Sequence, residues 1–150
     1  MEAKQLIERY RLQPHPEGGW YREVHRSAHQ VVRDDGQHRA GLTVIRFLLE
    51  GGSASRWHRV IRADETWHFA GGDPLELLLL PPDGGICRTR LGPEEALRVV
   101  PAGWWQAARC LGAWSLVSCC VGPGFDFADF SLMRDLPAAE RPPGVLDALL

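Results

Sequence analysis

Residues 57–69 read Trp57-His58-Arg59-Val60-Ile61-Arg62-Ala63-Asp64-Glu65-Thr66-Trp67-His68-Phe69, and their period decides the fold. Side chains alternate across a strand. In a strand that begins at Glu65, the side chains of Glu65, Trp67 and Phe69 share one face, and those of Thr66 and His68 share the other. A carboxylate beside two aromatic rings is no solvent face. It predicts an apolar cavity with a few polar groups set into it, the usual small-molecule site. Burial there raises a carboxyl pKa, and a neighbouring imidazolium lowers it. Imidazole titrates near neutrality, so His58 and Glu65 are a candidate proton-transfer pair. The plainer alternative for His58, Glu65 and His68 is a satisfied structural or surface group. His68 faces away from Glu65 unless a bulge intervenes.

The same texture extends outward on both sides. Short apolar runs at 20–27, 41–50, 55–60, 65–70, 75–80, 86–90, 97–100, 104–108 and 114–121 are divided by turn signals. Those signals include Gly51-Gly52, Gly71-Gly72-Asp73-Pro74, Asp83-Gly84-Gly85 and Pro101-Ala102-Gly103. Many short strands at this spacing predict an all-β antiparallel sandwich or barrel. Ahead of them, residues 2–12 carry Leu6, Ile7 and Tyr10 at helical spacing, which predicts a short amphipathic helix stopped by Pro14. Pro14, Pro16, Gly18 and Gly19 then make a sharp turn, without the strand and helix that would make it a phosphate loop. Asp34-Asp35-Gly36 marks a loop, and the tail from Pro137 ends in a candidate helical turn over 145–150. No repeat or long linker divides the chain, so residues 1–150 are read as one domain.

Composition narrows the class. Hydrophobic residues are 45% and charged residues 24% of the 150, as in soluble globular proteins. A domain this long buries about two-thirds of its unfolded surface and needs neither disulfide nor structural metal to fold. The net charge of -2 argues against a nucleic-acid or anionic-membrane partner. The charged N-terminus lacks the apolar core of a signal peptide, and no apolar run approaches the roughly 20 residues of a membrane helix. Cys87, Cys110, Cys119 and Cys120 are read as reduced, mostly buried thiols in a cytoplasmic protein.

A second stretch, Val99-Val100-Pro101-Ala102-Gly103-Trp104-Trp105-Gln106, reads as a tight turn entering a strand, with Gln106 on the face of Trp104. Tyr21, just after the Pro/Gly turn, could line a pocket or serve as a strand aromatic. Arg46 interrupts the apolar run 42–49, so it could bind an anionic group or face solvent. Trp57, Trp67, Trp104 and Trp105 offer stacking surface for a ring-shaped ligand, the core or a subunit interface.

These stretches resemble the paired motifs of the cupin superfamily. His58, Glu65 and Gly72 stand at the first His, the Glu and the last Gly of the first motif. Pro101 and Gly103 match the second, with Gln106 at its His position. More narrowly, Pro14-His15-Pro16-Glu17-Gly18-Gly19, the segment 64–69, Gly72-Asp73-Pro74-Leu75-Glu76-Leu77, the segment 100–109 and Pro123-Gly124-Phe125-Asp126-Phe127 resemble the DUF985 (Cupin_5) family. The likeness spans residues 5–135.

The resemblance implies a double-stranded β-helix (jelly-roll) barrel with the N-terminal helix outside. It also implies a homodimer joined at edge strands. Val60 and Gln106 replace two of the three metal-binding His of metal cupins. Any divalent metal would therefore rest on His58, Glu65 and Gln106, a weak set, and no cofactor is expected. Fold-level analogy with RmlC-like sugar epimerases suggests a metal-independent epimerase or isomerase of a sugar-like or polar carbonyl compound. His58 would be its base, Glu65 the partner or second acid–base group, and Gln106 an orienting group. Trp67, Phe69 and Trp104 would be walls, with His68, Tyr21 and Arg46 as further contacts. Two alternatives stand beside it: a non-catalytic ligand-binding or sensor protein, and a metal-dependent dioxygenase or isomerase.

Overall fold

The β texture expected from residue 20 onward is realised in the computed structural model, which describes residues 1–145 and 147–150. In chain order the helix and strands are α1 (Ala3–Tyr10), β1 (Gln13–Pro14), β2 (Trp20–Arg26), β3 (Gln30–Val32), β4 (His38–Ala40), β5 (Thr43–Glu50), β6 (Ala54–Val60), β7 (Asp64–Gly72), β8 (Leu75–Leu80), β9 (Cys87–Leu91), β10 (Leu97–Val100), β11 (Trp105–Cys110), β12 (Trp114–Gly122) and β13 (Phe130–Leu132). One sheet runs β1-β2-β5-β12-β7-β10 and the other β13-β6-β11-β8-β9. From β5 to β8, successive strands alternate between the two sheets, and neighbours within each sheet pair antiparallel. The result is an antiparallel jelly-roll barrel with a short N-terminal helix, the expected fold class. No helix among the described residues is long and apolar enough to cross a membrane.

Alternation decides what each face buries. On β5, Phe47 and Leu49 enter the barrel, while Leu48 points out. On β8, Leu75, Leu77 and Leu79 enter it, yet Leu78 and Leu80 are buried as well. That strand is apolar on both faces because Trp57, Trp105, Met133 and Leu149 cover its outer side. The chain beyond β13 therefore seals one sheet from outside. Helix α1 seals the other: Leu6 and Leu12 pack on Leu48 and Leu116, each burial contributing about 2 kcal/mol. The helix starts with a capping box, in which the Glu2 amide donates to Gln5 Oε1 at 2.8 Å.

The strand ends shift by a residue or two from expectation. The hairpin β3–β4 and strand β13 were not anticipated, because three-residue strands are too short to show a period. Asp34-Asp35-Gly36 is the tip of that hairpin. A 3-10 turn at Asp147–Leu149 falls within the helical turn expected over 145–150, of which position 146 lies outside the described residues. Cys119 is buried and Cys120 half-buried, as alternation requires, but Cys87 is exposed at the start of the edge strand β9. "Mostly buried" therefore holds only in part for the thiols.

Candidate functional site: a polar triad and an aromatic wall in the barrel

The two sheets enclose a cavity of about 500 Å³. The leucines of β8 and the rings of Phe47 and Trp67 belong to the packed core and do not line it. The Pro/Gly turn before β2 closes over the cavity. Gly18 has φ +103, and a Cβ there would collide with the Ala54 carbonyl; only glycine lets the turn lie this close to β6. The Arg56 amide then donates to the Glu17 carbonyl at 2.7 Å. The Glu17 side chain is delivered into the interior, 7% exposed.

Glu17 meets His58 there. His58 Nε2 lies 2.9 Å from Glu17 Oε2, and Ser55 Oγ donates to Glu17 Oε1 at 2.9 Å. His58 Nδ1 lies 2.6 Å from the Arg56 carbonyl oxygen, which can only accept. Both ring nitrogens face acceptors, an arrangement that favours a proton on each and thus the imidazolium. Burial pushes the His58 pKa down, but the Glu17 charge and hydrogen bond outweigh it and hold the group above 6.5. Burial likewise opposes ionisation of Glu17, and the His58 charge overcomes it, so its pKa falls below the usual value. His58 and Glu17 are thus a buried ion pair.

Glu65 is held differently. The Trp67 indole N–H donates to Gln106 Oε1 at 2.8 Å. Indole nitrogen is only a donor, which fixes the Gln106 amide so that its Nε2 donates to Glu65 Oε1 at 2.7 Å. Among the described residues the other Glu65 oxygen has no protein partner, and the side chain lines the cavity. Burial is the largest influence on this carboxyl and, with the Glu17 charge, pushes its pKa up to about 7 against the pull of His58 and Gln106. Cys119 lines the cavity beside it, its thiol pushed well up by burial.

His15 completes the polar set. Its Nδ1 accepts the Glu17 amide at 3.1 Å, which leaves Nε2 as the protonated nitrogen of a neutral ring, and burial lowers its pKa. Its ring lies 4.4 Å from that of Tyr21, edge to face. Phe125, Phe127 and Phe130 form the rest of the aromatic wall, 4.9 to 5.9 Å apart. Asp129, within that segment, accepts from Arg33 Nη1 at 2.8 Å and from Arg39 Nε at 2.9 Å. The β3–β4 hairpin thereby straps the aromatic segment in place.

Of the residues read from sequence, His58, Glu65 and Tyr21 line the cavity. Gln106 stands behind Glu65 and orients it. Several expectations are corrected. The partner of His58 is Glu17 rather than Glu65, because the turn 14–19 inserts a carboxylate that one strand's period cannot show. Trp67, Phe69 and Trp104 pack in the core instead of walling the cavity, since their end of the barrel is filled by leucines. His68 lies on the opposite face of β7, 2.9 Å from Thr66 Oγ1. Arg46 alternates outward between Ile45 and Phe47, and its guanidinium stacks 4.5 Å from the centre of the Tyr10 ring. Glu17, His15 and the three phenylalanines were missed as site residues. They lie in segments quoted above for the family likeness, apart from Phe130, and a His and a Glu locked between prolines and glycines were the available signal.

The donors do not suit a metal. Both His58 nitrogens and both polar ends of the Gln106 amide are engaged within the protein. Among the described residues no three His, Cys, Asp or Glu side chains converge as a ligand set.

The family model for the cupin superfamily (DUF985) matches residues 4–133. A hypothetical protein from Leishmania major is similar over 87% of this chain and 86% of its own, at 36% identity and a TM-score of 0.81. A protein from Shewanella oneidensis is similar over 88% and 84%, at 34% identity and a TM-score of 0.79. Oxalate decarboxylase from Bacillus subtilis shares the fold at 18% identity, covering 81% of this chain and 30% of its own, with a TM-score of 0.62. None of the curated proteins matches the chain.

Proposed function

The chain belongs to the DUF985 family of the cupin superfamily, and from that premise we propose that its barrel binds a small polar carbonyl compound and moves a proton on it, as a metal-independent epimerase or isomerase. One observation carries this reading. Glu65 is a buried carboxyl on the cavity wall with one oxygen anchored by Gln106 and the other, among the described residues, without a protein partner. A carboxyl poised at about 7 suits both halves of a proton transfer near neutral pH.

In this reaction the Glu65 carboxylate takes the proton from the carbon beside the substrate carbonyl. The C–H electron pair moves into the C–C bond, and the carbonyl oxygen becomes an enolate. The proton returns from Glu65 itself, or from the Tyr21 phenol in an epimerase. The imidazolium of His58, fixed by Glu17, has no free lone pair. It supplies positive charge for the enolate rather than the base.

Incubating the protein in D2O with a panel of aldoses, ketoses and their amino-substituted counterparts, and following C–H exchange by NMR, tests the reading. Wild type should wash deuterium into one carbon, and Glu65→Gln should lose that exchange while still binding. Equal exchange in both, or none in either, removes the proton-transfer role. The engaged nitrogens of His58 favour one second reading, a non-catalytic binder, in which the compound binds without exchange.

The homodimer belongs with the proposal. Strands β9 and β10 each form one edge of a sheet, and Leu97 and Val99 on β10 are about half exposed. Sedimentation should give twice the chain mass, and Leu97→Lys with Val99→Lys should return it to the monomer. A wild-type monomer refutes this.

A further inference from the structure

The charges of the cavity wall do not balance. Arg26 at the rim is tied to Glu23, with Nη2 2.6 Å from Oε1 and Nε 3.2 Å from Oε2, and it also donates to the Phe125 carbonyl. His58 is tied to Glu17. That leaves Glu65 in the depth and Asp126 at the rim, both lining the cavity and, among the described residues, neither within a salt bridge. The Asp126 side chain accepts the Ala128 amide. Among the described residues no cation of the wall is left free.

The aromatic rings add to the imbalance. Tyr21, Phe125, Phe127 and Phe130 line the same space. A ring face is the negative part of its quadrupole and attracts a cation. Glu65 is 8% exposed, so once ionised its free oxygen has little water, and a cationic ligand would supply its counterpart. An anionic guest would meet the Glu65 and Asp126 carboxylates, while the His58 imidazolium is already paired with Glu17. A neutral guest could bond to Glu65 but leaves the carboxylate uncompensated.

We infer that the ligand of this cavity carries a cationic nitrogen, held between the Glu65 carboxylate and the aromatic wall. The substrate class is an amine-bearing polar carbonyl compound rather than a phosphorylated or nucleotide-linked one. The inference rests on the reading of the barrel as a small-molecule site and narrows it.

Three probes of one shape and different charge test it: benzylammonium, benzyl alcohol and phenylacetate. They are titrated by calorimetry into wild type, Glu65→Gln and Phe130→Leu at about pH 8, above the carboxyl midpoint of about 7. Wild type should bind benzylammonium about tenfold more tightly than benzyl alcohol, with phenylacetate weakest. Glu65→Gln keeps the hydrogen bond from Gln106 and should reduce the preference for the cation to near parity. Phe130→Leu keeps an apolar side chain but removes the ring, and should weaken benzylammonium more than benzyl alcohol. If phenylacetate binds as well as benzylammonium, or if Glu65→Gln leaves the preference intact, the charge inference is overturned while the small-molecule site stands. If no probe binds up to about 50 mM, both are overturned.

Discussion

Glu65→Gln should make this protein progressively more stable than wild type as pH rises. The folded state holds the Glu65 proton up to about 7, whereas the ordinary carboxyl value is 4.5. For a raised carboxyl pKa, the stabilisation is fully present below the unfolded value and is lost as pH climbs through the folded one. At about 1.4 kcal/mol per pH unit, the span from 4.5 to about 7 corresponds to about 3 kcal/mol. Glutamine never ionises, and its amide oxygen can still accept from Gln106. Urea denaturation of both proteins between about pH 4.5 and 8 measures the effect. Glu17 and His58 titrate in both, so the difference between the two curves reports position 65 together with its coupling to those two groups. The stability difference should grow by about 3 kcal/mol across that interval, at constant denaturant slope. A flat difference would show that burial does not govern Glu65. A difference of opposite slope would show a carboxylate stabilised by an ion pair, and with it the poised acid–base role would fail.

Three further predictions follow from the same contacts. Gln106→Leu orphans the buried Trp67 indole N–H and strips the donor from Glu65; denaturation should show a loss of about 2 to 4 kcal/mol, and a loss within error would mean the amide bridge is not formed. Glu17→Gln leaves His58 with burial but without its carboxylate, so its NMR titration midpoint should drop from above 6.5 to below it. An unmoved midpoint would dismiss the ion pair. Asp129→Asn weakens the Arg33 and Arg39 strap, and hydrogen exchange over residues 30–40 and 125–130 should speed up, whereas unchanged protection there would separate the hairpin from the aromatic wall.

The legible part of this molecule was local. Strand alternation put Glu65 and Trp67 on one inward face and Thr66 and His68 on the other, and both hold. Turn residues marked nearly every strand boundary. Gln106 was read on the face of Trp104, and it does point inward, but its role as the link between Trp67 and Glu65 needed the pairing of β7 with its own sheet and of β11 with the opposite one. Arg46 was legible as an interruption but not as an outward one. Its place beside Tyr10 depends on where α1 lies.

From sequence alone came the all-β texture, the barrel class, the family likeness and two inward polar residues, His58 and Glu65. Each follows from period, punctuation or motif within a few neighbouring residues. Tertiary structure decided what those two residues do. It brought Glu17 from the first turn to His58, left Glu65 facing open space, and built the wall from Phe125, Phe127 and Phe130 rather than from the tryptophans. The period of a strand says which way a side chain points, but the crossing of the chain between two sheets decides what it meets.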